Sequence, residues 1–336
     1  MNPIDVLSYG EALVDFLPDT SGVKLRDVPS FRRVSGGAPA NMAIGISRLG
    51  GRVGLMGNVG ADEFGHFLVE HLQKEGVDTS GVRQTSEART GITFVSLDAK
   101  GERTFLFFRA PSADMLFRVE DIRVETIEAC SIFIAGSNLL ITPEIARTTF
   151  TALDHARRFG KFILIDPNIR QHLWSDLEHA KTIIHELLNY ADIVKLNDDE
   201  IEFLAPGGDA KTLYQEVLRP AGVRALIATR AERGAEVFCG DIHTQSVAPK
   251  VTVLDTTGAG DGFVVGLVTG LLRQATDHGE LSPEILQRAM NEWDASSWRR
   301  ILNLGCWVGS KVCTQLGATT ALPLREDIPW QGLGFE

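Results

Sequence analysis

No apolar run in the 336 residues is long enough to cross a bilayer, which takes about 20 consecutive apolar residues as a helix. The first residues, Met1-Asn2-Pro3-Ile4-Asp5, lack the basic start, apolar core and cleavage site of a secretory signal. Cysteines are few: four, at 130, 239, 306 and 313, with no CxxC pair and no finger-like spacing. They read as buried reduced thiols, and the cytoplasm as the expected location. Basic residues are in the minority, 33 Lys and Arg against 44 Asp and Glu, for a net charge of −11. That balance disfavours a general nucleic-acid or anionic-membrane surface but leaves room for one local nucleotide site. Several catalytic motifs are missing too. There is no GxxxxGK[ST], so no P-loop, and Gly258-x-Gly260 lacks the third glycine of a dinucleotide fingerprint. HExxH, GxSxG and a kinase-type HRD loop are absent. The histidines fall on helix faces or in loops without metal-ligand spacing.

What remains is a globular composition, 44% hydrophobic and 23% charged, with length for one large α/β domain and a smaller appendage. Ile4 to Tyr9 reads as a first buried strand and Arg52 to Val59 as another, with a helix from Phe64 to Lys74 stopped by Gly76. Residues Val23 to Val34 read as loop or edge strand. Gly91 to Leu97 and Arg103 to Phe108 are β-like runs joined by Asp98-Ala99-Lys100-Gly101-Glu102, which predicts a hairpin outside the main sheet. From Ser131 the pattern alternates. Strands are expected at Ser131–Ala135, Phe162–Ile165, Ile193–Leu196 and Ala225–Ala228, with helices at Pro143–Phe159, Asp176–Tyr190 and Lys211–Leu218 between them. This predicts an α/β fold: a mostly parallel central sheet with helices on both faces. The tail reads as a polar insertion, Thr276 to Ser297, then an apolar helix from Ile301 to Val312.

One stretch organises the rest. Asp255-Thr256-Thr257-Gly258-Ala259-Gly260-Asp261-Gly262-Phe263 follows a β-looking run, Val251 to Leu254, and opens a helical run reaching Arg273. Glycines at such a junction let backbone amides approach a ligand, and a helix's first turn favours an anion. Asp261 lies in that turn. An anion hole beside a carboxylate base suits phosphoryl transfer to a hydroxyl. Gly-Ala-Gly before a helix is also common in α/β proteins, and an acid there is ordinary dipole compensation. The rest of the chain decides between them. Asp15, Gly36-Gly37-Asn41, Asp166 to Arg170, Asn197 to Glu200, Thr229 to Gly234 and Gly258 to Asp261 each follow an expected strand or open a helix. In a parallel sheet ligands bind at that edge.

With these residues in hand, the chain resembles the ribokinase-like (PfkB) carbohydrate kinases, and within them the fructokinases. The resemblance spans Asp5 to Pro323. Gly36-Gly37-Ala38-Pro39-Ala40-Asn41 through Gly60-Ala61-Asp62-Glu63-Phe64-Gly65 is similar to the family's N-terminal signature, and Asp255 to Asp261 to its C-terminal one. Phe107 to Leu116 resembles a fructokinase segment. The resemblance implies a three-layer α/β/α sandwich with a small β lid formed by about 12–35 and 90–117, and ATP-dependent phosphorylation of D-fructose to fructose 6-phosphate. It implies Asp261 as base and the amides of Gly258, Ala259 and Gly260 as anion hole. Asp15, Gly36, Gly37, Asn41 and Arg109 would bind the sugar, with Arg109 reaching across from the lid. Asn168, Arg170, Asn197, Thr229, Gly234 and Asn303 would bind ATP. Glu200 would order Mg²⁺ through water, with helix N-terminal capping as the alternative use of its carboxylate. Asp255 and Thr257 would sit at a K⁺ site, and the lid would pair two subunits into a homodimer.

Two positions depart from the family pattern. Ala231 stands where a glycine is usual, so this part of the ATP site is expected to be tighter. Gly262 stands where Ala or Ser is usual, which is expected to loosen the helix's first turn. The rival substrates are 2-keto-3-deoxygluconate or another sugar or nucleoside. The rival class is a non-catalytic sugar or nucleotide sensor.

Overall fold

The computed structural model describes residues 4–20, 22–97, 103–109, 111–276 and 281–335. Its strands are β1 (Val6–Tyr9), β2 (Leu13–Pro18), β3 (Phe31–Gly36), β4 (Val53–Gly60), β5 (Asp78–Thr85), β6 (Ile92–Leu97), β7 (Arg103–Phe108), β8 (Ile132–Ala135), β9 (Phe162–Ile165), β10 (Ile193–Asn197), β11 (Ala225–Thr229), β12 (Ala235–Cys239) and β13 (Ile242–Ser246). The helices are α1 (Ala38–Arg48), α2 (Glu63–Lys74), α3 (Val124–Ala129), α4 (Pro143–Arg158), α5 (Leu177–Leu188), α6 (Asp198–Leu204), α7 (Ala210–Leu213), α8 (Ala259–Thr276), α9 (Pro283–Glu292) and α10 (Ala295–Val312).

The main sheet has nine strands in the order β13-β12-β11-β10-β9-β8-β1-β4-β5. All pairs are parallel except β11–β12 and β12–β13 at one edge. Side-chain alternation sorts its residues onto two faces. Val6, Ile132, Phe162, Leu164 and Ile193 pack on one face with α1, α2, α8, α9 and α10. Leu7, Phe133, Ile163, Ile165 and Val194 pack on the other with α3 to α7. Each fully buried aliphatic or aromatic side chain contributes about 1.5–3 kcal/mol. The two layers of such residues set the three-layer architecture expected from the alternation.

A second sheet, β3-β2-β6-β7, stands apart from the first. β2 pairs parallel to β6 and antiparallel to β3, with Asp15 opposite both Val34 and Thr93. The β6–β7 pair is antiparallel, as expected of a hairpin; the expected turn at Asp98 to Glu102 lies outside the described residues. One face carries Asp15 and Thr93. The other carries Phe94 in ring contact with Phe16, Phe31 and Phe108.

Several local expectations need correction. Val251 to Leu254 forms no strand; β-branched residues alone do not make one. The segment instead crosses the surface, with Val253 and Leu254 56% and 61% exposed, and Leu254 N–H donating to Cys313 O at 2.9 Å. The expected helix Lys211–Leu218 begins as α7 and continues as a wider five-residue turn, Tyr214–Leu218. There Tyr214 Oη bridges Arg224 O and Gly240 N–H. The polar insertion contains α9, started by Ser282 as cap and Pro283. Strands β2, β5, β12 and β13 were not expected, because polar residues interrupt their apolar runs.

Gly262 also acquires a different reason. A Cβ there would lie 2.7 Å from Val312 Cγ2, and one at Gly266 2.5 Å from Leu304 O. α8 therefore lies against α10 along a seam of glycines. Gly262 tightens that contact instead of loosening the first turn.

Candidate active site

The catalytic-looking stretch is a turn fixed at both ends. Asp255 is buried; its Oδ1 accepts from Thr257 N–H (2.9 Å) and Thr257 Oγ1 (2.8 Å), and its Oδ2 accepts from Gly317 N–H (2.7 Å). Gly258 then takes φ +76°, and a Cβ on it would lie 2.5 Å from Ala318 Cβ and 2.7 Å from Ala318 Cα. Only glycine fits both the conformation and the space. The first helical bond of α8 runs from Gly262 N–H to Gly258 O at 2.7 Å. Amides ahead of that bond have no partner within the helix. Ala259 N–H is the exception among the expected anion-hole amides, since it donates to Thr256 O at 3.2 Å. The turn itself consumes it, which leaves Gly258 and Gly260 of the expected three, joined by the Asp261 amide ahead of the first helical bond.

Asp261 meets α1 across the cleft. Asn41 Nδ2 donates to Asp261 Oδ2 at 2.8 Å, while Asn41 Oδ1 is buried without a partner. Burial raises the Asp261 carboxyl above its ordinary range and Asp166 adds to this, while Asn41, Arg170 and Lys195 oppose it. Asp15, on β2, is pushed up to about 7, mainly by burial, against the Thr93 hydroxyl facing it and with help from the charges of Asp261 and Glu11. A Cβ on Gly36 would lie 2.1 Å from the Asp15 carboxylate, and one on Gly37 (φ +93°) 2.5 Å from Glu11 O. The paired glycines let the entry of α1 pass directly beneath the second sheet. Asp15, Gly36, Gly37, Asn41 and Asp261 are thus brought together as the sequence predicted.

Arg109 does not extend freely over this cleft. Its guanidinium is 9% exposed and forms an ion pair with Asp114, with Nε donating to Asp114 Oδ2 at 3.0 Å. Ser112 Oγ donates to the other oxygen at 2.5 Å. Glu11 adds a second carboxylate near Arg109 and accepts from Asn138 Nδ2 at 2.8 Å. The arginine is therefore a fixed cation at the root of β7, because an unpaired buried guanidinium would be costly. From β7, Phe107 stacks on His172 of the main body, with centroids 5.5 Å apart.

On the far side of Gly260 lies a cavity of about 580 Å³, lined by Asn197, Thr229, Gly234, Ala259 and Gly260 among others. That volume is in the range for a nucleotide-sized ligand. Gly234 takes φ +94°, where a Cβ would lie 2.0 Å from Ser246 O. Ala231 takes φ +49°, a left-handed conformation costing a non-glycine residue about 1–2 kcal/mol. It lines the cavity beside Glu232, so the rim is narrower than a glycine would leave it. The loop is tied by Arg230 to Asp198 and Glu236. Asn303 does not line the cavity; it accepts from Ser246 Oγ at 2.7 Å and donates to Leu333 O at 3.3 Å, bracing the wall from behind. Asn168 (φ +48°) turns the chain after β9 so that Arg170 comes near Asp261.

Glu200 is a cap. It is buried, with Oε2 accepting from Asn197 N–H and Oε1 from Ile169 N–H, both at 2.8 Å, while Asn197 Oδ1 accepts from Glu200 N–H. That reciprocal pattern satisfies the first turn of α6. Lys195 and Glu11 were absent from the predicted set; Asp166, in the cluster expected after β9, forms an ion pair with Lys195 of β10 at 3.2 Å. A lysine in the apolar run Ile193-Val194-Lys195-Leu196 was the available signal for the pair. Glu11 carried none beyond its place after β1.

A polar cleft around Asn41 and Asp261 and a cavity of nucleotide size thus lie on either side of the first turn of α8. Known proteins resemble this chain in sequence and in fold. The chain is 38% identical over 318 residues to the probable fructokinase-3 of Arabidopsis thaliana, covering 95% of this chain and 88% of that protein. The fructokinase of Xylella fastidiosa with bound ATP superposes with a TM-score of 0.85 at 33% identity, covering 98% of this chain and 97% of that one. The fructokinase of Vibrio cholerae O395, bound to fructose, ADP and a calcium ion, gives 0.79 at 29% identity over 95% and 96% of the two chains. The pfkB family carbohydrate kinase profile matches residues 3–325. This chain, by sequence over nearly its whole length and by fold, belongs to the pfkB family of carbohydrate kinases.

Proposed function

We propose that the chain is an ATP-dependent fructokinase, transferring the terminal phosphoryl group of ATP to D-fructose and releasing fructose 6-phosphate and ADP. The observation that carries this is the position of Asp261, bonded to Asn41 on the sugar side and set in the helix turn that borders the nucleotide cavity. Asp261 takes the proton of the attacking hydroxyl. Its raised basicity suits that task better than an ordinary surface carboxylate would. The amides of Gly260 and Asp261 stabilise charge on the transferring group. Asp15 and Asn41 bind sugar hydroxyls, with Thr93 beside Asp15 on the same face of the sheet. Arg109 closes that end of the site. The second sheet, about 12–35 and 90–117, acts as the lid that excludes water from the phosphoryl group.

A divalent ion supplies charge neutralisation on the ATP phosphates when bound. Among the described residues no group of three or more His, Cys, Asp or Glu side chains could hold a metal directly. Both oxygens of Glu200 are taken by amides. This donor set fits Mg²⁺ held by phosphates and water, with Glu200 outside its inner shell. K⁺ near Asp255 and the Thr257 carbonyl belongs to the same reading, with Asp255 fixed by Thr257 and Gly317. Among the described residues no helix is long and apolar enough to cross a membrane. The four free cysteines suit a reducing cytoplasm.

The test is a panel of sugars, sugar acids and nucleosides assayed with ATP and Mg²⁺, with and without K⁺. D-fructose is expected to give the highest kcat/KM. A preference for a keto-sugar acid, which the cations Arg109 and Arg170 would also suit, overturns the substrate assignment. No turnover on any of them leaves the sensor reading.

The lid also bears on assembly. Leu106 and Phe108, on its aromatic face, are 45% and 57% exposed. We assign this face to a homodimer contact that would cover the lid's strand edges. Light scattering at micromolar concentration is expected to give twice the chain mass of 36.7 kDa, and Phe108→Lys to shift it toward the monomer. A wild-type monomer refutes the contact.

A further inference from the structure

Strand β10 contains a residue its pattern does not call for. Ile193 packs on the α8–α10 face and Val194 and Leu196 on the other, so alternation puts Lys195 on the α8–α10 face. Its Nζ lies 3.2 and 3.3 Å from the two oxygens of Asp166, with both side chains no more than 5% exposed. A buried ion pair is a poor device for stability, since apolar residues of similar volume often do as well. The position is more informative. Lys195 lines the nucleotide cavity with Asn197, Thr256 and Gly260, and a Cβ on Gly260 would lie 3.3 Å from Nζ. The ammonium therefore abuts the first turn of an 18-residue helix, where unpaired amides and the positive end of the helix dipole already lie. Two positive groups converging on one spot repel unless an anion lies between them. Asp166 serves the ammonium from one side, and the carboxylates of Glu200 and Asp261 add negative charge near it. The cavity side faces the helix amides.

We propose that Lys195 is a phosphate-binding catalytic residue, its ammonium sharing the terminal phosphoryl oxygens of the nucleoside triphosphate with the amides of Gly260 and Asp261, while Asp166 holds it in position. This rests on the kinase assignment above. In the transfer, the bond from phosphorus to the leaving nucleoside diphosphate oxygen breaks, the bond to the sugar oxygen forms, and the hydroxyl proton passes to Asp261. Lys195 gives up no proton; it neutralises charge on the phosphoryl oxygens throughout.

Calorimetric titration of the wild type with ADP and with a non-hydrolysable ATP analogue separates the two claims. Wild-type protein that binds neither overturns the kinase assignment and this proposal together. If both bind, Lys195→Met is expected to weaken the analogue about tenfold or more while leaving ADP nearly unchanged. Its kcat is expected to fall roughly 10²–10³-fold, as for loss of one charge-stabilising donor, with partial recovery in Lys195→Arg. Because Met strands the Asp166 carboxylate, the same titrations are repeated on Lys195→Met/Asp166→Asn, which removes both charges. An analogue-to-ADP affinity ratio equal to that of the wild type, in whichever variant folds, makes the pair purely structural and overturns the proposal.

Discussion

Replacing Asp261 by Asn is expected to lower kcat by about 10³-fold or more while sugar affinity changes little. General-base catalysis contributes roughly 10²–10⁴-fold, and each factor of ten is about 1.4 kcal/mol of barrier. The asparagine keeps the size of the carboxylate and can present its carbonyl oxygen to Asn41 Nδ2, which now donates to Oδ2 at 2.8 Å. The fold and the sugar cleft therefore survive, and only the proton acceptor is lost. The pH profile gives an independent check. Burial holds Asp261 above the ordinary carboxylate range and Asp15 at about 7. An acid with a raised pKa is protonated sooner as pH falls. So kcat/KM of the wild type is expected to decline on the acid side well before an ordinary carboxylate would titrate. Near-normal turnover in the variant removes Asp261 as the base.

Gly258→Ala is expected to be the second most damaging change, with kcat reduced roughly 10²-fold or more. The methyl group meets two obstacles together. It must accept φ +76°, at about 1–2 kcal/mol, and it must displace Ala318, whose Cβ and Cα would lie 2.5 and 2.7 Å away. Ala318 adjoins Gly317, whose amide holds Asp255, so the turn cannot shift without loosening its anchor. Shifting the turn misaims the amides of Gly260 and Asp261. Gly260→Ala is the informative contrast, because a Cβ there meets only Lys195 Nζ, at 3.3 Å. Thermal melts should show both variants folded. Equal kcat in Gly258→Ala and wild type would mean that the turn plays no part in charge stabilisation.

How much of this was legible beforehand differs between elements for physical reasons. The parallel strands β1, β4, β8, β9, β10 and β11 are buried on both faces and read as short apolar runs. β2, β12 and β13 have one face on solvent or on a cleft, and residues such as Asp15, Glu236 and His243 break their pattern. Val251 to Leu254 had the composition of a strand and forms none, so composition misled. At Glu200 both uses of a carboxylate were visible in the motif, and only the positions of two amides showed that capping occupies both oxygens. For Arg109 the motif implied a cation over the sugar. Asp114, five residues on, holds it at the root of the lid.

By itself the sequence determined the layering, through alternation of apolar runs, and the chemistry of the Gly258–Asp261 turn, through glycines that only a strained turn requires. Which side chains meet is a property of tertiary structure. The contact of Asn41 with Asp261 joins residues 220 apart in the chain, and the Lys195–Asp166 pair joins strand β10 to the loop that follows β9. Local pattern reports how a segment folds. Burial and charge at a site are set by what packs against it from elsewhere.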